Sequence, residues 1–175
     1  MKKAIWGPCT WNVLHVLTIK IKDSLFEKEK NGLVHLIHSI CTNLPCPQCS
    51  SHAVGLIQKY KLKHVKTKSQ LIQLMYKLHN EVNKRTKKKE YDFKDLIPMY
   101  TAMKTKELLN DFYYKSISMN FGEKMMLYSF SRKLFLQNFK KYFQTHLHCM
   151  RNDCNYFVVV EISSPFLYTE HLNFC

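Results

Sequence analysis

Apolar residues over the first hundred positions recur at the three-and-four spacing of helices, not at the alternation of strands. Trp11, Leu14, Leu17 and Ile21 follow the breaker Trp6-Gly7-Pro8 and predict a first helix. Leu33, Leu36, Ile37, Ile40 and Leu44 predict a second, ending at Pro45. A third starts at Cys46-x-x-Cys49 and carries Ala53, Leu56, Ile57 and Tyr60. Ser69 can cap a fourth, with Leu71, Leu74, Met75, Leu78 and Val82 on its apolar face. Tyr91, Leu96, Met99 and Met103 suggest a short fifth helix interrupted near Pro98. The fold class is therefore all-α over residues 1–103. Residues 104–175 read as a mixed, poorly defined extension of unknown role. It holds a helix from about Glu123 to Phe143, with Met126, Phe130, Leu134 and Phe135 apolar, and then a strand at Tyr156-Phe157-Val158-Val159-Val160.

No apolar run approaches the ~18–20 residues of a membrane span. The basic start Met1-Lys2-Lys3 is followed by no apolar signal-peptide core. The expectation is a cytosolic chain, which makes seven cysteines notable. Cytosolic disulfides are usually transient and catalytic, so the cysteines point to redox work or metal. The charge is +14 and uneven, with 18 basic against 7 acidic residues before position 104 and 9 against 6 after it. Such a surface attracts nucleic acid, acidic partners or cofactor phosphates, or is simply solvated. Lysine outnumbers arginine 24 to 3. Base-reading surfaces favour the arginine fork, so specific nucleic-acid binding is not expected.

Leu44-Pro45-Cys46-Pro47-Gln48-Cys49 places two cysteines three apart at a helix start. The positive end of a helix stabilises a thiolate, and prolines fit in the first turn. A redox pair, half a zinc site and two buried thiols all remain open on the pair alone. No strand precedes Cys46, which argues against a thioredoxin-type pair and leaves the electron acceptor to be found. Three further clusters supply a place for one: Trp6-Gly7-x-x-x-Trp11-x-x-x-His15, His52 three residues after Cys49, and His79-Asn80-x-Val82-Asn83 with Lys88 beyond. Trp11 and His15 share one helix face, and His79, Asn80 and Asn83 another. Flat rings with amide and imidazole groups suit a flat heteroaromatic cofactor between helices, and a lysine suits its phosphates.

In these motifs and their order the chain resembles the Erv/ALR family of flavin-dependent sulfhydryl oxidases. Leu-Pro-Cys-Pro-x-Cys-x-x-His-Ala is similar to the short poxvirus and African swine fever virus type members. The resemblance covers about residues 4–103 and implies a four-helix bundle with a short fifth helix, FAD as cofactor and a homodimer. It implies that Trp11, His15, Cys49, His52, His79, Asn80, Val82, Asn83, Lys88 and Tyr91 contact the flavin. Cys46 would exchange with protein dithiol substrates, or with a thioredoxin-like relay protein, and Cys49 would pass electrons to FAD and on to oxygen, giving hydrogen peroxide. Ile21 and Leu74 stand where the family carries aromatics, a departure that falls chiefly at the adenine end. Cys149-x4-Cys154 resembles a shuttle disulfide on some members' tails. It also reads as a zinc site with His146 and His148, or as incidental thiols. Cys9 or Cys41 reads as a small apolar packing residue, and Cys9, Cys41 and Cys175 have no assigned partner. The resemblance points to host cytoplasm or virion for a viral protein, and to the mitochondrial intermembrane space for a cellular one. The competing function is a non-enzymatic zinc or nucleic-acid-binding module.

Overall fold

The structure, a computed structural model, describes residues 3–118 and 126–150. It is helical throughout: α1 (Lys3–Lys20), α2 (Asp23–Thr42), α3 (Pro47–Lys59), α4 (Lys68–Arg85), α5 (Phe93–Ala102), α6 (Thr105–Ile117) and α7 (Met126–His146). Short 3₁₀ turns follow α3 and α7. The five expected helices are all present, with shifted ends.

Trp6-Gly7-Pro8 does not break the chain; it lies inside α1. Pro8 removes one bond, to the carbonyl of Ala4, and that residue is exposed to water. Pro98 likewise sits inside an uninterrupted α5, where the carbonyl it strands belongs to exposed Lys94. The second helix begins at Asp23, ten residues before Leu33, because Phe26 is buried ahead of a polar Glu27–Gly32 run. Thr67, not Ser69, caps α4. Its hydroxyl accepts from the Gln70 amide at 3.2 Å while Gln70 Oε1 accepts from the Thr67 amide at 3.3 Å.

The extension is helical as far as it is described, and α6 is an element the sequence did not announce. Leu109, Phe112 and Tyr113 of α6 and Phe135, Leu136, Phe139 and Phe143 of α7 join one core with Leu14, Leu17, Leu33 and Ile37. α1 packs on α4, α5 and α6, and α2 on α3 and α7. Of the four apolar residues named on the last helix, Phe135 is buried, and Met126, Phe130 and Leu134 are exposed. The end of the described chain is tied to the α1–α2 junction by the Lys22 amide, which donates to the Cys149 carbonyl at 2.8 Å. The expected strand at 156–160 lies outside the described residues.

Because α7 shares this core, Phe139→Ala should destabilise the whole protein by about 3–5 kcal/mol. Both tryptophans lie in α1, so their fluorescence in a urea titration reports the change. An unchanged tryptophan transition would mean that α7 folds independently of the bundle.

Candidate functional site

Cys46 is the N-cap of α3 and Pro47 its first residue. Proline there loses no helical bond, because the first-turn N–H has no helical partner. The Cys46 sulfur accepts from the Cys49 amide at 3.3 Å, and both cysteines are free, half-buried thiols. Burial pushes the Cys46 thiol up, but hydrogen bonds from Cys49 and the Lys3 ammonium outweigh it and leave the thiol below its ordinary value. Burial raises Cys49, and the hydrogen bond and charge of Cys46 raise it further. The pair is therefore asymmetric, with Cys46 the readier thiolate.

Beside it lies a cavity of about 610 Å³ between α1, α3, α4 and the segment before α5. This is within the usual ~300–1,000 Å³ range of small-molecule sites. Of the expected site residues, Trp11, Cys49, His52, His79, Val82, Asn83, Lys88 and Tyr91 line it, and Cys46 does not. His15 and Asn80 stand behind the wall. His15 Nε2 and His79 Nδ1 are 2.9 Å apart, and Trp11 stacks on His79 with centroids 4.0 Å apart and 11° between planes. Asn80 holds the Tyr91 backbone from both sides, donating to its carbonyl and accepting from its amide, each at 2.9 Å. Asn83 donates to the Lys89 carbonyl at 3.1 Å and its own carbonyl accepts from the Lys88 amide. The two asparagines thus fasten the Lys88–Tyr91 segment over α4 and set one side of the cavity.

The sequence had not singled out Lys3, Arg85, Lys89 and Tyr100, which also line the cavity. Arg85 could have been found, since it follows Val82 by three on the same helix face. Lys3 and Tyr100 are distant in sequence and carry no such signal. Among the described residues the lining holds Lys3, Arg85, Lys88 and Lys89 and no carboxylate, so it favours an anionic ligand. Trp6 lines the cavity with its indole Nε1 buried and without a hydrogen-bond partner. Gly7 lines it too, and a Cβ built there meets no atom within 4 Å. A flat, phosphate-bearing group fits these residues: rings for its plane, an indole N–H for an acceptor, cations for its phosphates.

The remaining cysteines are placed apart. Cys9 and Cys41 are buried, with burial pushing their thiols up to about 11 and about 12, which suits packing rather than exchange. Cys149 is buried near the first turns of α2, where Lys22, Lys28 and Glu29 act on it, whereas Cys46 follows the last turn of that helix. Twenty helical residues span about 30 Å, so the structure does not bring Cys149 to the redox pair. His148 Nε2 lies 3.4 Å from the Cys149 sulfur, while His146 turns to Tyr142 and Glu29. Cys154 and Cys175 lie outside the described residues.

With the geometry in place, a family profile decides the kinship: that of the Erv1/Alr family matches residues 8–104. The chain belongs to the Erv1/Alr family. The match ends before α6, so this family member carries α6 and α7 beyond it. The chain is 29% identical over 97 residues to a protein of Invertebrate iridescent virus 3 named as an FAD-linked sulfhydryl oxidase, covering 55% of this chain and 66% of that one. It is 32% identical over 102 residues to the FAD-linked sulfhydryl oxidase ERV2 of Saccharomyces cerevisiae, covering 57% and 50%. A Fowlpox virus protein named as an FAD-linked sulfhydryl oxidase is 30% identical over 59 residues, covering 34% and 57%. The chain thus spans between half and two thirds of these curated relatives' lengths. No solved structure matches it.

The buried histidines make stability depend on pH. Burial first, then His79, holds His15 down to about 3. Burial first, then Lys88, holds His79 down to about 4. From the ordinary 6.5 down to those values the unfolded chain takes up protons that the folded chain refuses. The stabilisation is full above pH ~6.5 and is lost as the pH falls, by up to about 1.4 kcal/mol per pH unit per histidine. Urea midpoints should fall between pH 7 and pH 5, and His15→Gln should flatten that dependence. A flat wild-type curve would mean the pair titrates normally.

Proposed function

We propose that this chain is an FAD-linked thiol oxidase that makes disulfides in protein substrates. The observation that carries this reading is the asymmetry of the pair: Cys49 lines the cation-rimmed aromatic cavity and Cys46 does not. One thiol is thereby available to clients and the other to a cofactor. In the oxidised pair a client thiolate attacks the Cys46 sulfur. A client–Cys46 bond forms as the Cys46–Cys49 bond breaks, and Cys49 leaves as a thiolate. The client's second thiolate then attacks its own sulfur in that mixed disulfide and expels Cys46. A thiol with a depressed pKa leaves faster, so Cys46 suits this release. The client has lost two electrons and two protons, and the pair holds the electrons as a dithiol. FAD, when bound, accepts two electrons from a dithiol and passes them to dioxygen, giving hydrogen peroxide. Trp11, His79 and Tyr91 would flank its ring system, and Arg85, Lys88 and Lys89 would meet its phosphates. Lys3 acts on both cysteines and draws them toward the thiolate.

No described helix is long and apolar enough to cross a membrane. Viral and yeast relatives stand side by side, so host cytoplasm or virion for a viral protein and the mitochondrial intermembrane space for a cellular one are both proposed. Protein dithiols as direct clients, or a thioredoxin-like relay, and a homodimeric state complete the proposal.

Purified protein should be yellow, with a flavin absorbance band and oxygen uptake on dithiothreitol. Cys46→Ser and Cys49→Ser should each abolish that uptake. Colourless protein that cannot be reconstituted with FAD, or full turnover in either variant, would overturn the reading.

Gly7 gives a second test. Helix-interior glycine costs about 0.5–1 kcal/mol against alanine, and no neighbour of Gly7 requires its missing side chain. Gly7→Ala should therefore raise the urea stability of flavin-free protein by that amount. Gly7→Leu, which extends into the cavity, should lower the flavin retained per chain.

A further inference from the structure

α7 has two apolar faces, and only one is used. Phe135, Leu136, Phe139 and Phe143 point into the core. Met126, Leu127, Phe130 and Leu134 recur at helical spacing on the opposite side and are 51–85% exposed. No described residue covers them. This outer apolarity stops at Leu134: the same side of the second half carries Gln137, Asn138, Lys141 and Gln144, all exposed.

The apolar half is the half anchored beside the redox pair. The Tyr128 hydroxyl donates to the Leu44 carbonyl, and Arg132 donates to the Asn43 carbonyl. Ser131 donates to the Asn43 side chain at 3.3 Å. Leu44 lies two residues before Cys46. A helix with side chains is about 10–12 Å across, so the exposed stripe lies about one helix width from the loop that presents Cys46. The polar half runs toward Cys149, at the far end of α2.

We propose that the outer face of α7 from Met126 to Leu134 is a docking surface for non-native polypeptide segments that carry apolar side chains beside their cysteines. The inference rests on the thiol-oxidase reading and names its client class. A folded protein buries its apolar residues, whereas an unfolded one offers them next to its thiols. The surface is built of Met126, Leu127, Phe130 and Leu134, and the flexible, polarisable thioether of Met126 adapts to varied apolar segments. Its apolar extent follows the part of α7 adjoining the redox pair, which is what a segment engaging both places requires. The stripe lies beyond residue 104, so it is a property of this chain and not of the matched family region.

The test uses the full chain with Leu127→Ser and Phe130→Ser combined, both exposed positions outside the core and the cavity. Two fluorescein-labelled peptides with a reduced cysteine pair are compared, one with Leu and Phe flanks and one with Ser and Thr flanks. Anisotropy should show tighter binding of the apolar peptide to wild type, and the variant should weaken it about tenfold, equivalent to about 1.4 kcal/mol. The polar peptide should not respond. Dithiothreitol oxidation should be the same in wild type and variant, because a small thiol needs no shelf. Equal binding of both peptides, or an unchanged preference in the variant, overturns the docking surface while leaving the oxidase reading intact. Lost dithiothreitol turnover in wild type overturns the oxidase reading, and anisotropy still decides the surface. A fall from dimer to monomer mass in the variant, by light scattering, would make the stripe a contact between copies. A photo-crosslinker at position 130 that captures residues 151–175 would make it a seat for the chain's own end. Either result overturns the proposal.

Discussion

From Val13 to Lys20 every residue of α1 is buried, and this burial on all sides is the constraint around which the molecule is arranged. A helix with one apolar stripe needs one neighbour; a helix apolar all round must be enclosed. α4 and α5 cover part of α1, and α6, from outside the region that defines the family, covers another part. Leu109, Phe112 and Tyr113 make that cover. Enclosure also explains why α1 tolerates Gly7 and Pro8 within its length. Packing of Trp6, Cys9 and Thr10 on either side of them offsets the lost bond and the flexible residue.

Enclosing α1 buries His15 completely, and the site follows from how that polar ring is accommodated. Its Nε2 reaches His79 on α4, and Trp11, one turn earlier, covers the His79 face. Two helices are thereby held in one register by a single polar contact and a ring stack. Both imidazoles stay neutral at ordinary pH because burial disfavours the charged form. From that register α4 presents Asn80 and Asn83, which pin the Lys88–Tyr91 segment and bring its lysines to the cavity. Histidine, tryptophan and asparagine thus act as a frame as much as a lining.

The redox pair is built by a different and more local device. Cysteine at an N-cap followed by proline leaves first-turn amides to bond the sulfur, and these amides act with the Cys49 thiol and the Lys3 ammonium to stabilise the Cys46 thiolate. Cys49, one turn on, receives none of that benefit and turns toward the cavity. The loop that precedes the pair is braced from α7 through Tyr128, Ser131 and Arg132. That brace ties the position of Cys46 to a helix nearly ninety residues away in sequence.

Helix identity in residues 1–103, the placement of Cys46 and Cys49 at a helix start, and the grouping of Trp11 with His15 and of His79 with Asn83 were legible in the sequence. All depend on spacing within one helix, and helical periodicity is a local property. The helix ends were less legible. Thr67 rather than Ser69 caps α4, because Thr67 and Gln70 form a local reciprocal capping box, whereas Trp6-Gly7-Pro8 continues α1 because tertiary burial outweighs local breaking tendencies. α6 was missed because the apolar part of its buried face is short: Leu109, Phe112 and Tyr113 keep helical spacing, but Thr105 and Ser116 occupy its two ends. The tertiary structure alone decided that His15 stands behind the cavity wall, that Lys3 and Tyr100 join the site, and that Cys149 lies an α2 length from Cys46. Spacing along a helix says which side chains share a face, but only the packing of helices against one another says what that face meets.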